Sequence, residues 1–367
     1  MQRILFLTPF VPSNKAGGEN FTRQLLVHLS EYFKVDLLYY RYEDDPHYVC
    51  PNENIKIAKE IVNSTKLKLL NILRRPCIHP ILSVRFNKKI LKFIQDLVKE
   101  RKYDLMFLDH SQMALYGEYF PDMKKILMSH DVMAQRYSRR GDWLSKKIII
   151  HGEKRVMRQK NLVVYSFSEK DRGIIKEMYG IDSKVTNFFL DKCILEAMPT
   201  AIEKRIVFFG KWKRIDNFEG LKWFFDNVYD CMEKSIEIDI IGNWLPDDFR
   251  KRIASLKNVK YLGFIDNPYP LIANSIATVS PLFSGAGVKV KVVESIACGT
   301  PVIGTDIAFE GLHKKYSKMM LWAEDAESYV KAMTVEMSIE ERVRFKQDFI
   351  KDYNSETIPQ FLLKYLQ

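Results

Sequence analysis

The stretch PLFSGAGVKVKVVESIACGTPVIGT, Pro281 to Thr305, decides how the chain is read. Taken alone, Val288 to Val292 alternates apolar and charged residues as a strand does. The flanks argue for a helix. Ala277 to Pro281 and Pro301 to Gly304 are short apolar runs of strand type. Two parallel strands need a crossover, and a helix of about three turns is the usual one. The spacing therefore predicts a helix over Val288 to Cys298, with Gly299 where a C-cap glycine belongs.

On such a helix Gly287, Lys291 and Glu294 share one face. Gly285 and Gly287 let backbone amides approach a ligand closely. A helix amino terminus, with its free N–H groups, attracts phosphate. Lys291 adds a full positive charge one turn in. Glu294 lies about 10 Å from Gly287 along the axis, so a diphosphate at the glycines leaves a pentose within reach of its carboxylate. Ser284, Gly285, Ala286, Gly287, Val288, Lys291 and Glu294 are thus candidates for a nucleoside diphosphate site. The alternative is a plain glycine turn with a surface Lys291–Glu294 pair worth roughly 0.3 kcal/mol.

The same alternation of apolar runs and helical stripes extends outward. In the second half, strands are predicted at Arg205–Phe209, Ile236–Ile241, Lys260–Leu262, Ala277–Pro281, Pro301–Gly304 and Met319–Leu321. Helices are expected near Phe218–Tyr229, Asp247–Leu256 and Ala326–Met337. In the first half, strands are predicted at Arg3–Thr8, Val35–Tyr39, Leu105–Leu108, Lys125–Met128 and Leu162–Phe167. Phe21, Leu25, Leu29 and Phe33 mark a helix stripe, and Phe86–Lys99 and Glu169–Tyr179 are further helices. The expected fold is α/β: two Rossmann-like, doubly wound parallel-sheet domains facing across a cleft. The boundaries read as 1–190, a linker at 191–203, a second domain at 204–340 and a helical tail at 341–367 that packs back on the first domain. In such sheets ligands sit beyond the carboxyl ends of the strands.

Composition excludes several classes. The run Ile4–Phe10 is short and meets Pro9 and Pro12, so it reads as a strand and not an export signal. No apolar stretch approaches the roughly 20 residues that cross a bilayer. Cys50, Cys77, Cys193, Cys231 and Cys298 are scattered, which suggests neither a zinc site nor a disulfide framework and points to a cytoplasmic protein. Gly17-Gly18 is not a G-x-G-x-x-G fingerprint, so no nicotinamide cofactor is expected. The net charge of +11 is concentrated: Lys66–Lys102 holds eleven Lys/Arg against Asp96 and Glu100, and a second basic stretch runs over Arg139–Lys160. These are solvated helix faces or contacts to an anionic partner. Leu67, Leu69, Leu70, Ile72 and Leu73 among the cations favour an anionic membrane surface over nucleic acid, with the protein peripheral on the inner face.

The segment at Pro281–Thr305, followed by FEGL at Phe309–Leu312, resembles the donor-binding segment of retaining glycosyltransferases of the GT-B fold, family four. ILFLTPFVPSNKAGGEN, ILMSHDV, IVFFGKW, IDIIGN and VKYLGFIDN follow in the family's order. The resemblance implies transfer of a sugar, with retention, from a UDP- or GDP-linked donor to a glycan or lipid-linked acceptor in cell-surface polysaccharide or glycoconjugate synthesis. It implies that Gly17 and Gly18 close over the donor phosphates and that the Phe264-Ile265 turn binds the base. It places His130 over the reacting sugar, where an imidazole bonds a hydroxyl or helps a proton move. Asp131 orients His130 or binds acceptor, and Asp109-His110 is a rival pair. Lys211 and Arg214, with Lys291, stabilise the departing diphosphate. Many members carry a second glutamate eight positions before the ribose glutamate; here Ala286 stands there, so a backbone amide or water must replace it. No metal or other cofactor is expected, because lysines neutralise the phosphates and Asp247-Asp248 reads as a helix start. A sugar-nucleotide epimerase of this fold and a non-catalytic membrane-associated subunit are the alternatives.

Overall fold

Parallel strands dominate the computed structural model, which describes residues 1–14, 17–139, 143–354 and 357–367. The chain divides into two units, Met1–Phe189 with Glu356–Gln367, and Leu190–Ser355. In the first, the strands are β1 (Arg3–Thr8), β2 (Lys34–Arg41), β3 (Ile55–Val62), β4 (Leu105–Asp109), β5 (Lys125–Met128), β6 (Leu162–Ser166) and β7 (Lys184–Val185). In the second they are β8 (Glu203–Phe209), β9 (Glu237–Ile241), β10 (Val259–Gly263), β11 (Ser275–Ser280), β12 (Val302–Gly304) and β13 (Met320–Trp322). Among the described residues the first sheet has seven strands in the order β3-β2-β1-β4-β5-β6-β7, and the second has six in the order β10-β9-β8-β11-β12-β13. Both are doubly wound, and each reverses direction once, between β1 and β4 and between β8 and β11. A ligand site is expected at those two points.

Buried strands are written as near-continuous apolar runs because helices cover both faces. In β1 and β4 the side chains of Ile4–Thr8 and Leu105–Asp109 are all buried. Phe6 and Phe107 pair in register, with stacked rings 4.6 Å apart. Helix Gly17–Tyr32 buries Phe21, Leu25 and Leu29 as the stripe predicts. The sequence reading has no strand at β3, which is an edge strand. Its Lys56, Lys59 and Glu60 give it the charged character that protects an edge from further pairing.

Three local features differ from expectation. The crossover helix after β11 is Val290–Ala297, two residues shorter at its start than predicted. Gly287 has a φ of 69° and Lys289 is extended, so the turn holds Gly287 and Val288 outside the helix. The segment read as a linker contains helix Lys192–Glu196 and belongs to the second unit. The tail also divides. Helix Ile339–Tyr353 stays with the second unit through two buried cations. Arg342 donates to the carbonyls of Ser275 (2.7 Å) and Ile276 (2.8 Å), and Lys346 donates to those of Ile194 (2.9 Å) and Ala297 (2.8 Å). Helix Thr357–Tyr365 alone joins the first unit, where Gln2 donates to the Leu366 carbonyl at 2.8 Å.

Two helical glycines make opposite predictions. At Gly220, in helix Ile215–Asn227, an added Cβ falls 1.9 Å from the Pro281 carbonyl oxygen. At Gly173, in helix Glu169–Tyr179, it meets nothing within 4 Å. Gly220→Ala is expected to lose about 1–3 kcal/mol in urea unfolding. Gly173→Ala is expected to gain about 0.5–1 kcal/mol.

Candidate active site

At the switch point of the second unit, the loop from Leu282 to Lys289 joins β11 to helix Val290–Ala297. Its shape comes from glycine and one lysine. Gly285 (φ 123°) and Gly287 (φ 69°) take backbone conformations that other residues resist. The Lys289 ammonium then gathers the carbonyls of Gly287 (2.6 Å) and Ala286 (3.2 Å). A trans peptide points its N–H opposite to its C=O. The amides of Gly287 and Val288 are therefore turned to the other side of the loop, as in an anion-binding nest. Glu310, from the FEGL segment, lies 3.6 Å from the same ammonium. Ser284 donates its hydroxyl to Asp216 and so ties the loop to helix Ile215–Asn227.

The cations divide between two positions. Asn217 donates to the Lys211 carbonyl (3.1 Å) and accepts from Lys291 (3.2 Å), linking the loop after β8 to the crossover helix. Burial, and then the nearby charges of Arg214 and Lys289, push the Lys291 ammonium down to about 7. Lys291 is therefore held among like charges, an arrangement that an anion relieves. Lys211 lies 5.0 Å above the Trp244 ring, on a different neighbour from Lys291. Arg214 is exposed at the start of helix Ile215–Asn227. Burial raises the Glu294 carboxyl to about 8, the Asp191 charge adds to this, and the Tyr269 hydroxyl opposes it. Phe264 is exposed and Ile265 half-buried just past β10, whose Gly263 carbonyl accepts from Gly242 at 2.7 Å.

The first unit assembles a different set at its own switch point. His130, just beyond β5, bonds through Nε2 to Asp109 Oδ1 at 2.6 Å. The other oxygen of Asp109 accepts from Thr8 (2.8 Å) and Thr22 (2.7 Å). The carboxylate that orients His130 is therefore Asp109, not the adjacent Asp131. The register of β4 on β5, with Asp109 opposite Met128, brings it there. His110, the other half of the rival pair, has a φ of 73° and lies 5.5 Å from the His130 ring. Burial, then the His130 charge, pushes it down to about 3. In the neutral imidazole with Nε2–H donated to Asp109, Nδ1 of His130 is the acceptor. It faces Gly18, where an added Cβ falls only 3.3 Å from it. Gly17 and Gly18 open helix Gly17–Tyr32. Residues 15 and 16 of that glycine segment, and residues 140–142 of the second basic stretch, lie outside the described residues.

Sequence reasoning missed four contributors: Asp109 as the partner of His130, Asn217 as a bridge, the Lys289–Glu310 pair and Glu153. Glu153 is fully buried and accepts from the amides of Met133 and Ala134 (both 3.1 Å) and from Tyr179 (2.5 Å), which fixes the backbone just after His130-Asp131. Burial raises its carboxyl to about 7. Its place twenty residues downstream carries no local signal. Among the described residues no His/Cys/Asp/Glu group is arranged to hold a metal.

Residues 203–335 match a family model described as Glycosyl transferases group 1. No curated protein matches the chain. Among solved structures, it is similar to sucrose-phosphate synthase from Thermosynechococcus elongatus (14% identity, TM-score 0.74, covering 100% of this chain and 98% of that one). It is similar to WaaG, a glycosyltransferase involved in lipopolysaccharide biosynthesis (13%, TM-score 0.67, 99% of each chain). It is also similar to Anabaena HepE, solved in complex with UDP and glucose (14%, TM-score 0.68, 100% and 99%). At these identities the likeness shows the fold: two Rossmann-like units of the GT-B type.

Lys291 makes the site's anion affinity depend on pH with a definite sign. Its free ammonium loses its proton above about pH 7, and a bound anion raises that value. Pyrophosphate binding above about pH 7 is therefore expected to take up protons. Calorimetry in buffers of differing ionisation enthalpy should show this uptake in the wild type and its loss in Lys291→Arg, which stays charged. Uptake that persists in the variant would contradict the assignment.

Proposed function

We propose that this chain is a glycosyltransferase that moves a sugar from a nucleoside diphosphate sugar to a hydroxyl-bearing acceptor. One observation carries the reading. The loop Ser284–Lys289 directs two amides away from a carbonyl-gathering lysine, with Lys291 and Glu294 on the helix that follows, inside the segment that matches the group 1 glycosyl transferase model. The amides of Gly287 and Val288, with Lys291 and Arg214, are assigned to the diphosphate. There they meet charge that grows as the glycosidic bond to the donor breaks, and preorganised donors aimed at developing charge are the largest expected catalytic term. Lys211 is assigned to the same leaving group from the loop after β8. Glu294 is assigned to the ribose hydroxyls, and the backbone around Phe264 and Ile265 to the base. Gly17 and Gly18 are assigned to the donor phosphates. His130, held by Asp109, is assigned to a sugar hydroxyl, and Asp131 to the acceptor. UDP is the first donor nucleotide to test, because the HepE structures hold it; GDP is the second. Retention at the anomeric carbon is part of the proposal and rests on the family resemblance alone.

We place the protein at the cytoplasmic face of a membrane. Among the described residues no helix is long and apolar enough to cross one. Helix Thr65–Leu73 buries only Asn71 and leaves Leu69, Leu70 and Leu73 exposed beside Lys66 and Arg74. Helix Trp143–Met157 similarly exposes Trp143 and Leu144 near Lys146 and Lys147. Exposed apolar residues flanked by cations match the chemistry of an anionic lipid interface. Cosedimentation with phosphatidylglycerol vesicles is expected for the wild type and lost in Leu69→Asp/Leu73→Asp.

Incubation with UDP- and GDP-sugars tests the catalytic reading. Acceptor-dependent release of the nucleotide supports it. Isomerisation without acceptor would show an epimerase, and binding without turnover a non-catalytic subunit. Glu294→Ala is expected to weaken UDP or GDP binding about tenfold, as loss of hydrogen bonds to a buried carboxyl does. His130→Ala and Asp109→Asn are expected to slow turnover about 100-fold while leaving nucleotide affinity unchanged. Normal activity in all three would remove the site assignment.

A further inference from the structure

A second constellation in the first unit holds buried polar atoms that have no partner among the described residues. It lies beyond the carboxyl ends of β2, β3 and β4. Arg41 and Val62 pair in register, so Tyr42 and Asn63 leave the sheet side by side. Asn63 is 3% exposed, and among the described residues neither its amide nitrogen nor its amide oxygen has a partner. Arg85 is 8% exposed, and among the described residues its Nε and Nη1 have no acceptor and its charge no ion-pair partner. Its position is not accidental. The Arg85 carbonyl accepts from Tyr40 (2.5 Å) and Tyr116 (2.8 Å), and the preceding Val84 carbonyl accepts from Asn71 (3.0 Å). These bonds hold the backbone while the guanidinium lies 5.4 Å from the Tyr40 ring and 5.7 Å from the Tyr42 ring.

The charges that act on Tyr42 are positive. Lys68 donates to the Tyr42 hydroxyl at 2.8 Å. Burial opposes it, but Lys68 and Arg85 together hold the Tyr42 phenol below its ordinary value. On the β4 side the group facing Arg85 is His110, which burial keeps neutral and so brings no negative charge. Among the described residues, the groups around Arg85 are thus two tyrosines, a neutral histidine and, across Tyr42, a lysine; the Asp109 carboxylate beside that histidine is already engaged by Thr8, Thr22 and His130. A desolvated cation without a counter-charge is costly. A guanidinium recognises phosphate and carboxylate through several donors at once. An amide with both atoms unclaimed suits a sugar hydroxyl, which donates and accepts.

We propose that Arg85, Asn63, Tyr42 and Lys68 form an oxyanion site that takes a phosphate or carboxylate carried on a sugar. That this sugar is the acceptor rests on the transferase reading above; the site itself does not. The test is calorimetric titration of the full chain with inorganic phosphate, glucose 1-phosphate, glucuronate and glucose. The wild type is expected to bind the anionic sugars in preference to glucose, and the stronger of the two identifies phosphate or carboxylate as the natural group. Arg85→Met is expected to weaken that binding about 10- to 100-fold and to leave UDP affinity unchanged. Lys291→Ala should do the reverse, which separates this site from the donor site. Lys68→Ala, at the rim, should weaken binding by a smaller factor and probes the same claim if Arg85→Met does not fold. Equal binding of glucose and the anionic sugars by the wild type overturns the proposal, as does unchanged affinity in Arg85→Met or in Lys68→Ala. Absence of UDP binding in the wild type would instead overturn the donor reading alone.

Discussion

The second unit depends on backbone meeting backbone at the carboxyl ends of its inner strands β8, β9 and β11. A Cβ at Gly242 would fall 1.8 Å from the Gly210 carbonyl oxygen, and one at Gly220 would fall 1.9 Å from that of Pro281. Neither position tolerates a side chain. Gly210 and Gly242 end β8 and β9, and Gly220 brings helix Ile215–Asn227 against the end of β11. This close approach lets Asn217 reach the Lys211 carbonyl and Lys291 together. Remove it and Asn217 no longer ties the loop after β8 to the crossover helix.

Placing Lys291 at this point has a cost. Lys291 is buried near Arg214 and Lys289, so its charge is disfavoured before any ligand arrives. Lys289 is offset by Glu310 and by two carbonyls, whereas among the described residues the Lys291 ammonium donates to the Asn217 amide oxygen. The two lysines, two residues apart, therefore serve different ends. One shapes the loop, and the other bridges to Asn217. The first unit follows the opposite course: Asp109 meets two hydroxyls and an imidazole, so its charge is fully engaged and His130 is held in one tautomer.

The parts of the site that were legible in the sequence are those within one turn or one loop of each other. Gly285, Gly287, Lys291 and Glu294 lie in ten consecutive residues; periodicity places Lys291 and Glu294 on one helix, while Gly285 and Gly287 fall in the turn before it and not on its face. Asp109 and His130 are twenty-one residues apart and meet because β4 and β5 pair in a particular register. Lys289 and Glu310 are separated by the same interval and meet across a strand and its turn. Side chains joined through neighbouring strands leave no periodic trace. The fold class was legible because buried parallel strands are continuous apolar runs. The edge strand β3 was not, because protection of its edge calls for charged residues that erase that pattern. The split of the tail was hidden for a similar reason: Arg342 and Lys346 look like surface cations until their carbonyl partners are seen.

The first unit is discontinuous in sequence. Its last helix, Thr357–Tyr365, comes after the whole of the second unit. Lys124 donates to the Tyr365 carbonyl at 2.8 Å, and Lys184 lies 5.0 Å above the Phe361 ring. Domains generally fold as units while the ribosome delivers them from the amino end. Here that order is inverted. The portion synthesised first must wait, with an apolar flank uncovered, until residues 357–367 have emerged. The later portion can complete its own core sooner. A nascent chain arrested before that helix would present a finished second half joined to an unfinished first one, the form of this protein most dependent on chaperones.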